Sequence, residues 1–580
     1  MTLDFRNLNT LWGSIVAETL ARSGLTLAVI CPGSRSTPLT VAFALNPKIE
    51  AIPVLDERSA AFFALGLAKQ LCKPVALVCT SGTAAANFYP AVIEAKESRV
   101  PLLILTADRP PENRHCHAGQ TIDQIKLYVD YPNWQAEISC PSPKPDRLRY
   151  LRQTLLHAWE RSRYPTPGVV HLNLPFRDPL APTPDLETGA LESILDESDF
   201  FGHISPDPVS ERVKPTQIPD FPEKGIIIAG VATTGDPETY CKAIAKISRS
   251  LQYPVLAEAL SPVRNHASLL PHLVTTYDLL LRHREIREEL TPEVAIQIGE
   301  LPTSKELRSW LEEKDFPRWI IDSDPDNFDA LHGKTRHLRV TVENFAGSLP
   351  DRSGKNSKYC QCWLDRDTTT RTRIERIFAK TDEFIEPKVA YLLSRHLPPR
   401  TPVFIANSMP VRHAEWFWTA NDRSLLPHFN RGANGIDGTL STAIGMAYKN
   451  RPGVLLTGDL ALLHDTNGFL LKNHFKGSLT IVVINNNGGG IFEMLPIAKF
   501  EHPFEEFFAT PQNIDFSRLC ATYNVEYHSI ESWTDLSARL DPLPAEGIRL
   551  LEVKCDRTGN ARWLQENLPL LSRSDPENVM

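Results

Sequence analysis

Short apolar runs alternate along this chain with longer stretches whose apolar positions recur at helical spacing. Near the start, LAVICPGS (27–34), VALVCTSG (75–82) and PLLILTADRP (101–110) are Val-, Ile- and Leu-rich runs that stop at small or turn-forming residues. Each predicts a buried strand that ends in a loop. Between the first two lies ERSAAFFALGLAKQL (57–71), whose apolar residues fall on one helical face. Strand–helix alternation of this kind predicts an α/β protein with doubly wound parallel sheets, whose ligands sit at the carboxyl ends of the strands.

The pattern occurs three times. A second α/β block contains GIIIAGVATTG (225–235), PEVAIQIGELPTSKEL (292–307) and RWIIDSD (318–324). A third contains PVFIANS (402–408), GVLLTGD (453–459), LTIVVINNNGGG (479–490) and IRLLEVKC (548–555). Residues 178–222 are rich in Pro, Asp and Glu and show little periodicity, so they are expected to run over the surface as a connection. DRSGKNSK (351–358) is polar and turn-rich and marks a second boundary. Three domains follow: 1–185, 205–350 and 375–580. The first and third share one α/β style, which allows a pseudo-duplicated architecture.

Composition narrows the function class. The chain has 580 residues, beyond the roughly 100–200 of one domain, with a net charge of −8 and 23% charged residues. It lacks the clustered basic surface that nucleic-acid binding needs. It has no apolar run of the roughly 18 residues needed for a membrane span, nor a basic start followed by an apolar stretch as in a secretion signal. Ten cysteines are scattered, and C-x-C at Cys360 and Cys362 is not a zinc spacing. Reduced thiols in a cytoplasmic protein are expected.

The densest chemistry lies between Gly458 and Phe492. One predicted strand ends at Gly458-Asp459, and the next ends in Asn485-Asn486-Asn487-Gly488-Gly489-Gly490. A lone Gly-Asp after a strand is usually a turn. Followed by an Asn run on the next parallel strand, it becomes specific, because both reach one sheet edge. A carboxylate, an amide oxygen and a loop carbonyl suit a hard cation such as Mg²⁺ or Mn²⁺, which takes about six oxygens, and a diphosphate supplies others. The glycines let backbone approach phosphate.

This segment resembles the metal and diphosphate motif of thiamine-diphosphate enzymes, with Leu460 where the family's Gly-Asp-Gly has its last Gly. The resemblance implies Asp459, Asn486 and the Gly488 carbonyl as metal ligands. It also implies a Glu on the aminopyrimidine N1′ of thiamine diphosphate, and Glu57, where a strand meets the 57–71 helix, has that position. Alone, Glu57 reads as a solvated first-turn acid favoured by the helix dipole.

Further runs narrow the family. They are Pro32-Gly33-Ser34-Arg35-Ser36-Thr37-Pro38, Asp56-Glu57-Arg58, Thr80-Ser81-Gly82-Thr83, Thr106-Ala107-Asp108-Arg109-Pro110, Asn407-Ser408 with Arg412, and 430–438, NRGANGIDG. Together they resemble the 2-succinyl-5-enolpyruvyl-6-hydroxy-3-cyclohexene-1-carboxylate synthase family, thiamine enzymes of menaquinone and phylloquinone synthesis. The resemblance implies a transferase that decarboxylates 2-oxoglutarate and adds the remaining unit to isochorismate. Both substrates are polyanions, and Arg35, Arg109, Lys305, Arg412 and Arg431 stand at predicted strand-end loops of one sheet edge.

By the same resemblance, Arg412 and Arg431 suit the distal carboxylate derived from 2-oxoglutarate. Ser34, Arg35, Arg109, Gln120 and Lys305 suit isochorismate. Ile436 supports the cofactor's V shape, Ser408 and Gly458 lie beside the cofactor, and Ile491 and Phe492 pack near the reacting carbon. Gly119, Glu306 and Gly490 depart from residues found in some relatives. GVATTG (230–235) lacks the spacing of a dinucleotide fingerprint, so the middle block is expected to be structural and to lend Lys305. A homodimer or homotetramer is implied, with active sites between subunits. Another thiamine carboligase, or a non-catalytic α/β binding protein, is the alternative.

Overall fold

The computed structural model describes residues 3–193, 195–202, 204–205, 220–351 and 356–571. It contains three six-stranded sheets, parallel throughout. The first holds β1 (Leu27–Ile30), β2 (Glu50–Pro53), β3 (Val75–Cys79), β4 (Leu102–Asp108), β5 (Trp134–Glu137) and β6 (Val169–Pro175), in the order β2-β1-β3-β4-β6-β5. The second holds β7 (Gly225–Ala229), β8 (Val255–Ala257), β9 (Leu273–Val274), β10 (Val294–Ile298), β11 (Arg318–Ile321) and β12 (Thr335–Leu338), in the order β12-β11-β10-β7-β8-β9. The third holds β13 (Pro402–Ile405), β14 (Leu426–His428), β15 (Gly453–Gly458), β16 (Ser478–Asn485), β17 (Glu526–Ser529) and β18 (Gly547–Lys554), in the order β14-β13-β15-β16-β18-β17.

The first and third sheets therefore have one topology. In each, the order reverses between the first strand and the third, which opens a crevice at the carboxyl edge of β1/β3 and of β13/β15. The second sheet has the order of dinucleotide-binding sheets, yet the turn after β7 lacks the phosphate-binding glycines. Central strands such as β3, β4, β6, β7 and β10 are buried along their whole length, as parallel strands covered on both faces must be.

The chain forms two compact units. One gathers the described part of 1–210 with 430–448 and 464–476, and the other holds the rest. The first unit depends on a helix crossing. Asp56 caps the helix Glu57–Leu71, its Oδ1 accepting from the Ser59 N–H at 2.9 Å. That helix packs backbone to backbone against the helix Thr439–Ala447. A Cβ on Gly66 would lie 2.1 Å from the Thr442 carbonyl oxygen, and one on Gly445 would lie 2.3 Å from that of Phe63. Beside the crossing, Phe63 meets Tyr448 edge to face at 5.7 Å, and Tyr448 donates to Glu50 at 2.9 Å.

The predicted connection at 178–222 is corrected in its first part. Short helices Leu186–Ala190 and Glu197–Phe201 form there, and Phe200 and Phe201 are buried in the first unit's core. Two adjacent aromatics carry enough apolar area to anchor a segment whose overall composition is polar. Residues 206–219 lie outside the described residues.

In the second unit, the fully buried Arg264 ties the middle block to the third. Its Nε donates to the Ala257 carbonyl at 2.8 Å, and its Nη1 donates to the Glu415 and Trp418 carbonyls at 2.9 and 3.2 Å. It so satisfies the open C-terminal carbonyls of the helix Met409–Phe417. Its Nη2 lies 3.2 Å from the Glu415 carboxylate, which also accepts from Tyr277 and from the Ala259 N–H.

Gly445→Ala has no room at the crossing and should lose about 1–3 kcal/mol. Gly189→Ala, whose new Cβ meets nothing within 4 Å, should stay within about 0.5 kcal/mol. Urea denaturation of the two variants beside the parent checks both values.

Candidate active site

The third sheet gathers oxygen donors at its crevice. β15 and β16 are parallel neighbours, with Gly458 opposite Ile484, so their carboxyl ends finish side by side. Asp459 opens a short helix directly after β15 and is buried. Its Oδ1 accepts from the Leu460 N–H at 2.8 Å, and its Oδ2 accepts from the Gly488 N–H at 2.8 Å. That last bond locks the turn after β16 to the end of β15.

The turn itself demands glycine. Gly488 has φ 145°, and a Cβ there would stand 2.4 Å from the Ala509 carbonyl oxygen. The Gly489 N–H donates to that same oxygen at 2.7 Å, and Arg557 donates to the Asn487 carbonyl at 3.2 Å. Arg557 is held in turn by Glu493 at 2.7 Å and by Glu505 at 2.6 Å.

Asn486 presents its amide nitrogen to Glu386, donating to Oε1 at 2.8 Å, while its Oδ1 is buried with no hydrogen-bond partner. Burial pushes the Asp459 carboxyl up to about 6. Burial, with the Asp459 charge adding to it, pushes Glu386 up to about 7. Two enclosed acids beside an unpartnered amide oxygen are unfavourable alone and suit a cation. Together with the Gly488 carbonyl they offer hard oxygen donors of the kind Mg²⁺ takes, so the residues fit the ion. Among the described residues no cluster of three or more His, Cys, Asp or Glu could hold a metal. The donors gathered here are of another kind, since two of the three oxygens belong to an amide and a peptide group.

Ser408 follows β13, the next strand at the same crevice. It sits at φ 69°, a strained value for a non-glycine residue, and its carbonyl accepts from Arg412 Nη1 at 2.6 Å. Ile491 and Phe492 lie in the turn Gly490–Met494. Ile491 packs on the third core, and Phe492 meets Phe508 edge to face at 5.7 Å. Lys305 is the exposed first residue of the helix Lys305–Lys314, at the carboxyl side of β10. A cation in a first turn opposes the helix dipole, so its placement does not stabilise the helix.

In the first unit, Glu57 opens its helix, half-buried, at the carboxyl end of β2. Burial, with the charges of Glu57 and Asp56, pushes the Cys31 thiol well up. Asp56 also accepts from Asn467 at 2.8 Å. Ser34 and Arg35 follow β1, where Ser34 is exposed and Arg35 is buried. Arg35 donates to the Phe176 carbonyl at 2.8 Å and stands 3.6 Å from Asp178. Burial and the Arg109 charge hold its guanidinium below its usual range. Arg109 follows β4, with a buried Nε that has no hydrogen-bond partner. Gln120, at φ 58°, donates to the Ser81 carbonyl at 2.9 Å.

Arg431 and Ile436 lie in the loop after β14, in the segment 430–448 that belongs to the first unit. Glu94 accepts from the Gly432 and Ala433 N–H groups at 3.1 and 2.7 Å, and Lys69 donates to Asn430 at 2.8 Å. The Ile436 carbonyl accepts from Thr439 at 2.7 Å.

The structure thus brings Asp459, Asn486 and Gly488 together, joins Ser408 to Arg412, and sets Arg35 near Arg109. The expectation that five basic residues share one sheet edge is corrected. Arg35 and Arg109 belong to the first sheet, Lys305 to the second, Arg412 to the third and Arg431 to a loop, because the chain distributes its strand ends over three sheets. Sequence reading passed over Glu386 and the fully buried His413. Glu386 looks like an ordinary first-turn acid ahead of Pro387.

Residues 12–127 match the family model for the thiamine pyrophosphate enzyme N-terminal TPP binding domain. Residues 209–405 match the middle domain of thiamine pyrophosphate, and 408–553 match the C-terminal TPP binding domain. A 2-succinyl-5-enolpyruvyl-6-hydroxy-3-cyclohexene-1-carboxylate synthase of Microcystis aeruginosa is 67% identical over 98% of this chain and 100% of its own length. The chain belongs to the 2-succinyl-5-enolpyruvyl-6-hydroxy-3-cyclohexene-1-carboxylate synthase family. Another member, from Gloeothece citriformis, is 58% identical over 99% of this chain and 100% of its own. The fold is similar to that of a benzoylformate decarboxylase from Polynucleobacter necessarius, with a TM-score of 0.68 and 18% identity over 94% of this chain and 98% of that one. Membership of this synthase family carries thiamine-diphosphate binding with it.

Gly488→Ala should leave far-UV circular dichroism near that of the parent but remove the thermal stabilisation gained on adding thiamine diphosphate with Mg²⁺. An undiminished thermal shift in that variant would count against this turn as the cation site.

Proposed function

We propose that this chain is a Mg²⁺-dependent transferase that decarboxylates 2-oxoglutarate and adds the remaining succinic semialdehyde unit to isochorismate. The products are CO₂ and 2-succinyl-5-enolpyruvyl-6-hydroxy-3-cyclohexene-1-carboxylate, in menaquinone or phylloquinone biosynthesis. The observation that carries the cofactor chemistry is the buried, unpartnered Asn486 Oδ1 beside the buried Asp459. Mn²⁺ would satisfy the same donors.

Thiamine diphosphate, when bound, supplies a carbon nucleophile able to accept the electron pair of the breaking bond to CO₂. Asp459, Asn486 and the Gly488 carbonyl hold the ion that neutralises its diphosphate. Glu57 holds a proton at N1′ of the aminopyrimidine, where a charge-assisted bond in a dry pocket is short and strong. Ile436 would support the cofactor, and Ser408, Gly458 and Phe492 would line it. Ile491, with Phe492, keeps water from the reacting carbon.

Arg412 and Arg431 bind the distal carboxylate of the 2-oxo acid, and Ser34, Arg35, Arg109, Gln120 and Lys305 bind isochorismate. Guanidinium groups pair with carboxylates in two-point geometry, which fixes position as well as charge. The active site is completed in a homodimer or homotetramer, with Glu57 of one copy serving the cation site of another. All ten cysteines are free thiols, which supports a cytoplasmic setting.

A coupled assay with 2-oxoglutarate, isochorismate, thiamine diphosphate and Mg²⁺ should fall to background when any one is omitted. Preference for pyruvate over 2-oxoglutarate would move the chain to another carboligase class. Glu57→Gln should keep its fold and lose at least about 100-fold in kcat. Mixed and reassociated with Asp459→Asn, it should recover about a quarter of parental activity, since one site in each mixed dimer is intact. No recovery in mixtures shown to exchange subunits would refute the shared site.

A further inference from the structure

Glu386 is one of the most enclosed acids in the second unit, only 1% exposed, yet among the described residues no Lys or Arg pairs with it. It opens the helix Glu386–His396, its own N–H donating to Asn560 Oδ1 at 3.2 Å. Asn486, His413 and Cys555 stand near its carboxylate. Asn486 donates through Nδ2 to Oε1 at 2.8 Å. The His413 ring stands 3.8 Å from Oε2, with no hydrogen bond on either nitrogen.

An asparagine amide has a donor end and an acceptor end, and only its surroundings decide which way it points. A carboxylate accepts and cannot donate. With Glu386 on one side, Asn486 must turn its nitrogen inward, and its Oδ1 is left on the other side, buried and unpartnered. The reversed amide would set an oxygen against the carboxylate and point N–H groups at the cation. Asn486 can therefore serve a cation only while something holds its other end.

We infer that Glu386 is a positioning residue that fixes the carbonyl end of Asn486 toward the divalent ion. The inference rests on the cation site proposed above. Outer partners of this kind commonly change metal affinity about 10–100-fold when lost.

The test is a Mn²⁺ titration followed by electron paramagnetic resonance, on full-length protein with saturating thiamine diphosphate. Glu386→Ala should weaken Mn²⁺ about 10–100-fold, and Glu386→Gln, which keeps an acceptor for Asn486, should weaken it less. The exchanged pair Glu386→Gln with Asn486→Asp restores one donor facing one acceptor and keeps the total charge. It should bind Mn²⁺ more tightly than Glu386→Gln alone. Affinity within twofold of the parent in Glu386→Ala would overturn the role. If that variant does not fold, an exchanged pair no tighter than Glu386→Gln would overturn it. Asp459→Asn separates the two readings: undiminished Mn²⁺ binding there means that the cation site itself is wrong.

Discussion

The hydrogen bond from the Gly488 N–H to the Asp459 carboxylate is the constraint on which the second unit's chemistry rests. It joins the ends of two adjacent parallel strands at the point where each stops being a strand. The bond forms only if the chain reaches φ 145° at Gly488 with no side chain to strike the Ala509 carbonyl. It forms only if β15 and β16 keep the register that ends them together. Arg557 and the Ala509 carbonyl brace the turn from outside. The result is a rigid set of oxygens built mostly from backbone and amide groups, with one carboxylate among them.

That economy of charge has a cost. Burial raises both Asp459 and Glu386 toward neutrality, so without a cation the site works against its own ionised form. The third sheet tolerates this because the crevice is surrounded by a packed core. The helix Met409–Phe417, which starts at the strained Ser408, is tied down at its other end by the buried Arg264. Strain at one end of an element persists when the rest of the element is over-determined.

The first and third sheets repeat one strand order, and each places polar strand-end residues at its own carboxyl edge. One carries an acid at a helix N-terminus, and the other carries Asp459, Asn486 and the Gly488 carbonyl. The segments 430–448 and 464–476, which follow strands of the third sheet in sequence, pack instead on the helix Glu57–Leu71 through the Gly66–Gly445 crossing. Arg431 and Ile436 are placed by that packing, not by the strand that precedes them.

Much of this was legible in the residue order. The Val- and Ile-rich runs announce buried parallel strands because such strands need apolar side chains on both faces. Gly-Asp followed by the Asn run announces oxygen-bearing groups at adjacent strand ends, because both strands are parallel neighbours that stop together. Tertiary structure alone decided three other matters. It buried Phe200 and Phe201 out of a polar stretch, since whether an aromatic pair finds a core depends on a surface made elsewhere in the chain. It spread the basic residues over three sheets, since strand order within a sheet is set by packing and not by sequence order. And it set Glu386 behind Asn486, a hundred residues away. No local pattern encodes which end of an amide faces inward, because that orientation follows from the partner brought against it.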